Sequence, residues 1–321
     1  MKILKIIKKS LFSAILLIFL LISPFFIFKN LNYYLDVKAE NKKINMLTIW
    51  HCETHEGGRS SRLAFLKSVA REFEKANSGV VVYVRLVEQV EMEELISAGE
   101  LPDLLSFGSG VKPSLASALC EIKDDYSVSK NYLNSARVSN RVLALPYMLS
   151  TYVVITKTKI ENAKEYATKN NINFLAGNID AVRYGKDDLP IDSAEHTTYT
   201  AYLDFKNTKA PALVGTMRDV ARLTNANYTQ DSYYYLPTGY SNMAQYVGVC
   251  KPSKTGKMFI QTLLSDSTQK KVADVGLFSV KENVTLYSVS PYLELEQNVK
   301  NIKLERLWKW CKTDKSSKTK R

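Results

Sequence analysis

The sequence has little of what most enzymes need for catalysis. It contains three histidines among 321 residues, and two of them, His51 and His55, lie in one loop. No G-x-S-x-G, H-E-x-x-H or G-x-x-x-x-G-K-[ST] pattern occurs, so the common hydrolase, metalloprotease and nucleotide-binding motifs are missing. A carboxylate pair for glycoside cleavage leaves no such signature, and nothing in the sequence points to one. We therefore predict a protein that is not an enzyme and holds no cofactor.

Cysteine is also scarce and is not spaced for metal binding. The four cysteines, at positions 52, 120, 250 and 311, show no C-x-x-C spacing. In an oxidising compartment four cysteines could form disulfides in three alternative pairings. A fold of this size needs no disulfide, and we predict free buried thiols. The loop 51–56 combines His, Cys and Glu, which are metal-binding residue types, but it has no second cluster elsewhere. No metal site is therefore predicted.

The N-terminal end has the pattern of an export signal. Four lysines and no acidic residue occur in residues 1–9, and an almost wholly apolar run follows from Leu11 to Phe28. This length fits a long signal peptide or a short transmembrane anchor, and the preceding lysines predict that the remainder lies outside. No cysteine follows the run before Cys52, so a lipid attachment site is missing. We expect a single anchor in the cell membrane with an extracellular body, or secretion if the segment is cleaved.

The positive charge is concentrated at the two ends of the chain. Of the net charge of +12, residues 1–9 contribute +4 and the tail 312–321 contributes +4, which leaves +4 for the body. A body with nearly equal numbers of positive and negative charges does not predict binding to nucleic acid. Export would also separate the protein from most nucleic acid of the cell.

The body alternates between short strands and helices. Strands are predicted at Leu47–Trp50, Val80–Val87 and Leu104–Phe107, with helices at Arg62–Ala76 and Glu91–Ala98. Strands and helices in this order are typical of a doubly wound α/β fold with a parallel sheet.

A series of motifs runs through residues 46–300. It consists of Trp50 and the segments Phe73–Gly79, Ala98–Asp103, Ala144–Tyr147, Tyr152–Lys157, Phe205–Gly215, Gln245–Cys250, Phe259–Asp266 and Gly276–Phe278. In this order they resemble the extracellular solute-binding proteins of carbohydrate-type ABC importers. The resemblance implies a two-lobed, periplasmic-binding-protein-like α/β fold of type II. It also implies a monomer that binds a small solute, expected to be a carbohydrate, in an inter-lobe cleft for an ABC permease.

The resemblance divides the chain into a signal or anchor (1–28), a linker (29–45), two lobes and a basic tail (312–321). The first lobe comprises residues 46–112 and 244–280, and the second comprises 113–243 and 281–311. Fewer than fifty residues separate Lys157 from Phe205, where relatives usually carry a longer helical part, so the second lobe is expected to be shortened. This departure leaves open a membrane-anchored extracellular sensor or interaction protein without a transport role.

Candidate ligand-binding residues lie at strand ends and turns. They are Trp50, His51, Glu53, Glu56, Arg59, Arg62, Ser109, Tyr147, Arg218 and Tyr240. Trp50 and Tyr147 offer aromatic faces for a sugar ring, with core positions as the alternative.

The segment 56–62 starts a helix at Ser60 or Ser61. Its N–H, hydroxyl and guanidinium groups suit an anion or sugar hydroxyls, while the simpler interpretation is a helix cap. Arg218 lies at a second strand-to-helix corner. One interpretation is that its side chain reaches the cleft, and the other is that it simply belongs to the first turn of a helix.

Overall fold

A computed structural model describes residues 44–138, 140–185, 189–192, 196–225 and 233–307. Residues from Met46 onward belong to one compact unit. The predicted signal or anchor segment, the linker up to residue 43 and the basic tail lie outside the described residues. No helix within the described ranges is long and apolar enough to span a bilayer.

The described residues form the following elements. The strands are β1 Asn45–His51, β2 Val80–Leu86, β3 Leu104–Gly108, β4 Arg137–Val138, β5 Arg141–Val142, β6 Ala144–Leu149, β7 Tyr152–Thr156, β8 Phe174–Leu175, β9 Ile191–Asp192, β10 Ala212–Thr216, β11 Tyr234–Pro237, β12 Tyr240–Ser241, β13 Ala244–Val249 and β14 Lys303–Leu304. The α-helices are α1 Arg62–Ala76, α2 Gln89–Ser97, α3 Lys130–Leu133, α4 Ala163–Asn170, α5 Ile179–Gly185, α6 Thr198–Lys206, α7 Met217–Asn225, α8 Lys254–Leu263, α9 Asp266–Lys270 and α10 Tyr292–Val299. Short 3₁₀ helices span Pro113–Ala118, Asn134–Ala136 and Lys271–Val275.

The first sheet has five strands in the order β2-β1-β3-β13-β6. Strands β1 and β3 are parallel, with Trp50 opposite Leu105, whereas β13 runs antiparallel to both β3 and β6. The parallel pairing expected among the first strands is present between β1 and β3, and the chain adds β13 in the opposite direction when it returns from the second sheet. Strand β6 also corrects the lobe boundary: residues 144–149, assigned to the second lobe, pair in this sheet.

The second sheet has the order β11-β7-β10-β8-β9. Strand β10 pairs antiparallel with β7 and parallel with β8, and β9 extends the parallel side. Strands β8 and β9 come from the short segment between Lys157 and Phe205. That segment therefore supplies two of the five strands and completes one edge of the sheet.

Helix α1 forms where the sequence predicts it, because its apolar stripe and its caps agree. Phe65, Leu66, Val69 and Phe73 are buried on one side of the helix. The Ser61 hydroxyl accepts a hydrogen bond from the main-chain N–H of Ala64 (3.3 Å), which satisfies one of the free N–H groups of the first turn.

The chain crosses between the two sheets at neighbouring points. Strands β6 and β7 are separated only by Ser150 and Thr151, and the return crossing runs from β11 of the second sheet to β13 of the first. The Ser150 N–H donates to the Met243 carbonyl (2.7 Å), and the Ser241 hydroxyl donates to the Ser150 carbonyl (2.9 Å). The two crossings are thus hydrogen-bonded to each other, an arrangement typical of a hinge.

Candidate functional site

A cavity of about 520 Å³ lies between the ends of the two sheets. The loop after β1 forms one wall with Glu53, Thr54, His55, Glu56 and Gly57. The opposite wall comes from the second sheet and consists of Gly177, Asn178, Asp180, Thr198 and Arg218. Carboxylate, amide, hydroxyl and guanidinium groups therefore face one another across a single space.

Two glycines allow the two walls of the cavity to pack closely against the main chain of neighbouring segments. A Cβ atom at Gly177 would collide with the main chain of Thr197 and Thr198, where α6 begins. A Cβ atom at Gly58 would similarly meet the carbonyls of Val275 and Gly276. Both walls depend on main-chain contacts that only glycine permits at these positions.

A buried polar network supports the first wall from behind. The His51 ring lies between Glu53 (Nε2 to Oε1, 3.2 Å) and Ser106 (Nδ1 to Oγ, 2.8 Å). The Ser106 hydroxyl also contacts the Tyr147 hydroxyl (2.8 Å) and the side-chain amide of Gln245 (3.1 Å). A carboxylate only accepts hydrogen bonds, so Nε2 donates to Glu53 and Nδ1 of the neutral ring accepts from Ser106. Tyr147 is therefore a fully buried residue on β6 that supports this network from behind.

The N-terminus of α1 already has an anionic partner within the chain. Glu53 accepts a hydrogen bond from the Leu63 N–H (3.1 Å) and lies 3.8 Å from the Arg62 guanidinium. Arg62 is 1% exposed, and its Nη2 group also donates to the His55 carbonyl. The carboxylate of Glu53 thus occupies the place that the sequence offered to an external anion.

Burial and local charge set the protonation states of this wall. The hydrogen bond from His51, with the charge of Arg62, lowers the pKa of Glu53 to about 2. Burial lowers the pKa of His51, and burial together with Arg62 lowers that of His55 well below its ordinary value. The wall consequently carries an ionised carboxylate and two neutral imidazoles at neutral pH.

Glu56 connects the two walls. Its carboxylate accepts a hydrogen bond from the Thr216 hydroxyl (3.4 Å), and it lies 3.6 Å from the Arg218 guanidinium. Thr216 ends β10 of the second sheet and Arg218 lies in the first turn of α7, the helix that directly follows it. Of the predicted residues, Glu53, Glu56 and Arg218 are the three that line the cavity.

The other predicted residues lie elsewhere. Trp50 is 8% exposed, belongs to the main core and has the Arg85 guanidinium 5.7 Å from its ring centre. The Arg59 guanidinium lies over the Tyr292 ring at 4.5 Å and lines a separate cavity of about 360 Å³.

Two further predicted residues lie near the crossings between the sheets. Ser109 donates a hydrogen bond to the Asn242 carbonyl beside the return crossing. The side chain of Tyr240 lies outside the described residues.

Sequence reasoning missed the wall residues Asn178, Asp180 and Thr198. Asn178 accepts hydrogen bonds from the N–H groups of Asp180 and Ala181 at the start of α5 (2.8 and 3.2 Å). Asp180 accepts from the Asn242 side chain (2.9 Å). The pattern Gly177-Asn-Ile-Asp180 is a helix-start signature, which was the available signal.

No group of three or more His, Cys, Asp or Glu side chains within the described ranges is arranged to hold a metal ion. The side chains of His51, Glu53 and Glu56 in this loop bond instead to serine, threonine, arginine and main-chain partners.

No protein-family model and no curated protein matches this sequence. Solved structures do match. The GacH receptor of Streptomyces glaucescens, solved with and without acarbose, is 14% identical over 82% of this chain and 88% of its own, with a TM-score of 0.54. The galacto-N-biose/lacto-N-biose I-binding protein of a Bifidobacterium longum ABC transporter is 10% identical over 83% and 88%, with a TM-score of 0.60. Iron-bound HitA from Pseudomonas aeruginosa is 13% identical over 78% and 92%, with a TM-score of 0.53.

These similarities confirm the fold that the sequence motifs implied. At 10–14% identity they concern the architecture alone, and their ligands differ from sugars to iron. The chain has the two-lobed, periplasmic-binding-protein-like α/β fold of ABC-transporter substrate-binding proteins.

Proposed function

We propose that this chain is an extracellular solute-binding protein that holds a carbohydrate between its lobes and delivers it to an ABC permease. The observation that carries the proposal is the polar cavity, whose two walls come from separate sheets. A ligand that touches both walls favours the closed arrangement, because it gains contacts that an open arrangement lacks. The hydrogen-bonded crossings provide the hinge for this motion.

The chemistry of the walls favours a ligand rich in hydroxyl groups. Carboxylates accept hydrogen bonds from hydroxyls, while Asn178 and Arg218 donate to their oxygens. Among the described residues that line the cavity none is aromatic, so the solute is held mainly by hydrogen bonds and less by ring stacking. The sugars named for the acarbose and lacto-N-biose binding proteins support this ligand class.

Reversible binding without a reaction suits the two glutamates of the first wall. Glu53 is ionised and already bonded to His51 and Leu63. Glu56 is bonded to Thr216 and Arg218. Glu53 lacks the proton that a general acid for glycoside cleavage must supply at neutral pH, and the Glu56 carboxylate is occupied by its contacts between the two walls.

The binding experiment uses the full-length chain in detergent, a panel of mono- and oligosaccharides, and titration calorimetry. At least one sugar should bind, and Glu56→Gln and Arg218→Ala should each lower its affinity about tenfold or more, since each removes a charged hydrogen-bonding partner. Glu72→Gln is the matched control, because it removes a surface ion pair with Lys271 away from the cavity. If no sugar binds, or if Glu72→Gln lowers affinity as much as Glu56→Gln, the carbohydrate proposal is wrong.

The proposed location is the outer face of the cell membrane, with the N-terminal segment as the tether. Full-length chain should stay in the membrane fraction after an alkaline wash, and external protease should digest its body in intact cells. A soluble chain that begins at Glu40 would instead show cleavage after Ala39.

Transport and sensing make different predictions for cells that lack this protein. A transport role predicts that uptake of the bound sugar falls and that Glu56→Gln restores it only in part. An anchored sensor or interaction protein predicts unchanged uptake despite the same binding in calorimetry.

A further inference from the structure

Cys120 and Cys250 lie side by side, although 130 positions separate them in the sequence. The Cys120 N–H donates to the Val249 carbonyl (2.7 Å), and the Cys120 sulfur lies 3.5 Å from the Cys250 carbonyl oxygen. The side chain of Leu119 packs so closely on Gly248 that a Cβ atom there would meet it at 2.7 Å. The segment after the first 3₁₀ helix is therefore fixed along the end of β13.

This placement brings the two cysteines close enough to consider a disulfide. Bridged cysteines usually have Cα atoms about 4.4–6.8 Å apart, and a sulfur in contact with the partner's main chain is compatible with that range. The Cys250 N–H donates to the Asp103 carbonyl (2.9 Å), so the second cysteine is also held by main-chain contacts. The main chain at both cysteines is thus held in place, and bond formation would require the two side chains to rotate toward each other.

The other described cysteine has different surroundings. Cys52 is buried at the end of β1, and its charged neighbours are Glu88, Arg62, Glu93 and Glu53. For Cys250, by contrast, burial and the neighbouring Cys120 thiol raise the pKa to about 12. Cys120 is less buried than Cys250 and is the thiol that a reagent reaches first.

We propose that Cys120 and Cys250 form a disulfide in the mature protein, whereas both thiols are free in the structure described here. The proposal rests on the extracellular location proposed above, because disulfides persist in oxidising compartments. The oxidant is a disulfide donor. The Cys120 thiolate attacks one donor sulfur and releases a donor thiolate, and the Cys250 thiolate then attacks the Cys120 sulfur and releases the second. Two electrons pass to the donor, and the two thiol protons end on its two thiols.

The disulfide would stabilise the first lobe without restricting the closure of the two lobes around a ligand. Both cysteines flank the first sheet, and the loop between them contains β7–β11, the whole second sheet. Closing so long a loop restricts the unfolded chain strongly, which is the main source of stabilisation by a disulfide. The crossings between the sheets remain free to bend.

The test uses full-length chain in detergent, equilibrated with oxidised and reduced glutathione, denatured without reductant and alkylated. Peptide mass mapping should find Cys120 linked to Cys250, with Cys52 and Cys311 alkylated. A reductant should lower the melting temperature by roughly 5–10 °C. Cys120→Ser should abolish that response, whereas the control Cys52→Ala should keep it.

Alkylation of all four cysteines, or a link that involves Cys52 or Cys311, would overturn the proposal. An equal response to reductant in Cys120→Ser and in the unaltered chain would do the same. The outcome is independent of sugar binding, since a chain that binds no sugar can still show the link. Failure here and failure of the proposed function are therefore distinguishable.

Discussion

Replacing Trp50 with alanine tests whether this aromatic residue belongs to the core or binds the ligand. Trp50 lies just before the loop that lines the cavity. The ring ends the predicted first strand, where a sugar platform was one of two interpretations. In the structure it is 8% exposed and belongs to the main core. Its indole packs in the first sheet beside β3, with Leu105 at the paired position.

The expected cost follows from burial. Truncating a buried tryptophan to alanine removes most of its apolar contacts and leaves a cavity, which costs about 3–5 kcal/mol. The contact between the Arg85 guanidinium and the ring, at 5.7 Å, adds about 0.5–1 kcal/mol. We therefore expect Trp50→Ala to lower the free energy of unfolding by about 3.5–6 kcal/mol, with Trp50→Phe losing less because a ring remains.

The assay is equilibrium unfolding in urea, paired with calorimetry using the sugar identified in the panel. Variant chain that is still folded should bind the sugar with an affinity within about threefold of the unaltered chain, since the ring does not line the cavity. Glu56→Gln should show the reverse pattern, with weaker binding and little loss of stability. If Trp50→Ala keeps its stability and loses binding tenfold or more, the ring is a ligand platform and the structural reasoning fails.

Two further predictions concern stability. The pKa values of His51 and His55 are lowered in the folded chain. As the pH falls, these histidines therefore take up protons first in the unfolded chain, near the ordinary histidine pKa of about 6.5. Urea unfolding should therefore show constant stability above about pH 7 and a loss of up to about 1.4 kcal/mol per pH unit for each histidine below 6.5. His55→Gln should reduce this slope, and a flat profile between pH 7 and 5.5 would contradict the assignment. Ser61→Ala should cost about 1 kcal/mol because it removes the cap of α1, whereas Ser61→Asp should restore it.

The sequence predicted local structure well where pattern and caps agreed. Helix Arg62–Ala76 has the predicted bounds, since apolar spacing and capping are properties of neighbouring residues. The series of motifs also implied the two-lobed fold, which the structural similarities confirm. The sheet membership of Ala144–Leu149 was wrong, because strand pairing is decided by partners far away in the chain.

The candidate site shows the same division between what neighbouring residues predict and what distant contacts decide. The sequence by itself determined that the loop after β1 is polar, that a helix follows a serine cap at Ser60 or Ser61, and that an apolar segment precedes the body. Only the tertiary structure decided which polar groups are free to meet a solute. It bonded Glu53 to His51 and Leu63, buried Tyr147 and Trp50, and brought Asn178 and Asp180 opposite Glu56. The physical reason is that burial and hydrogen-bond partners depend on which distant segments pack together, and spacing along one chain segment does not specify them.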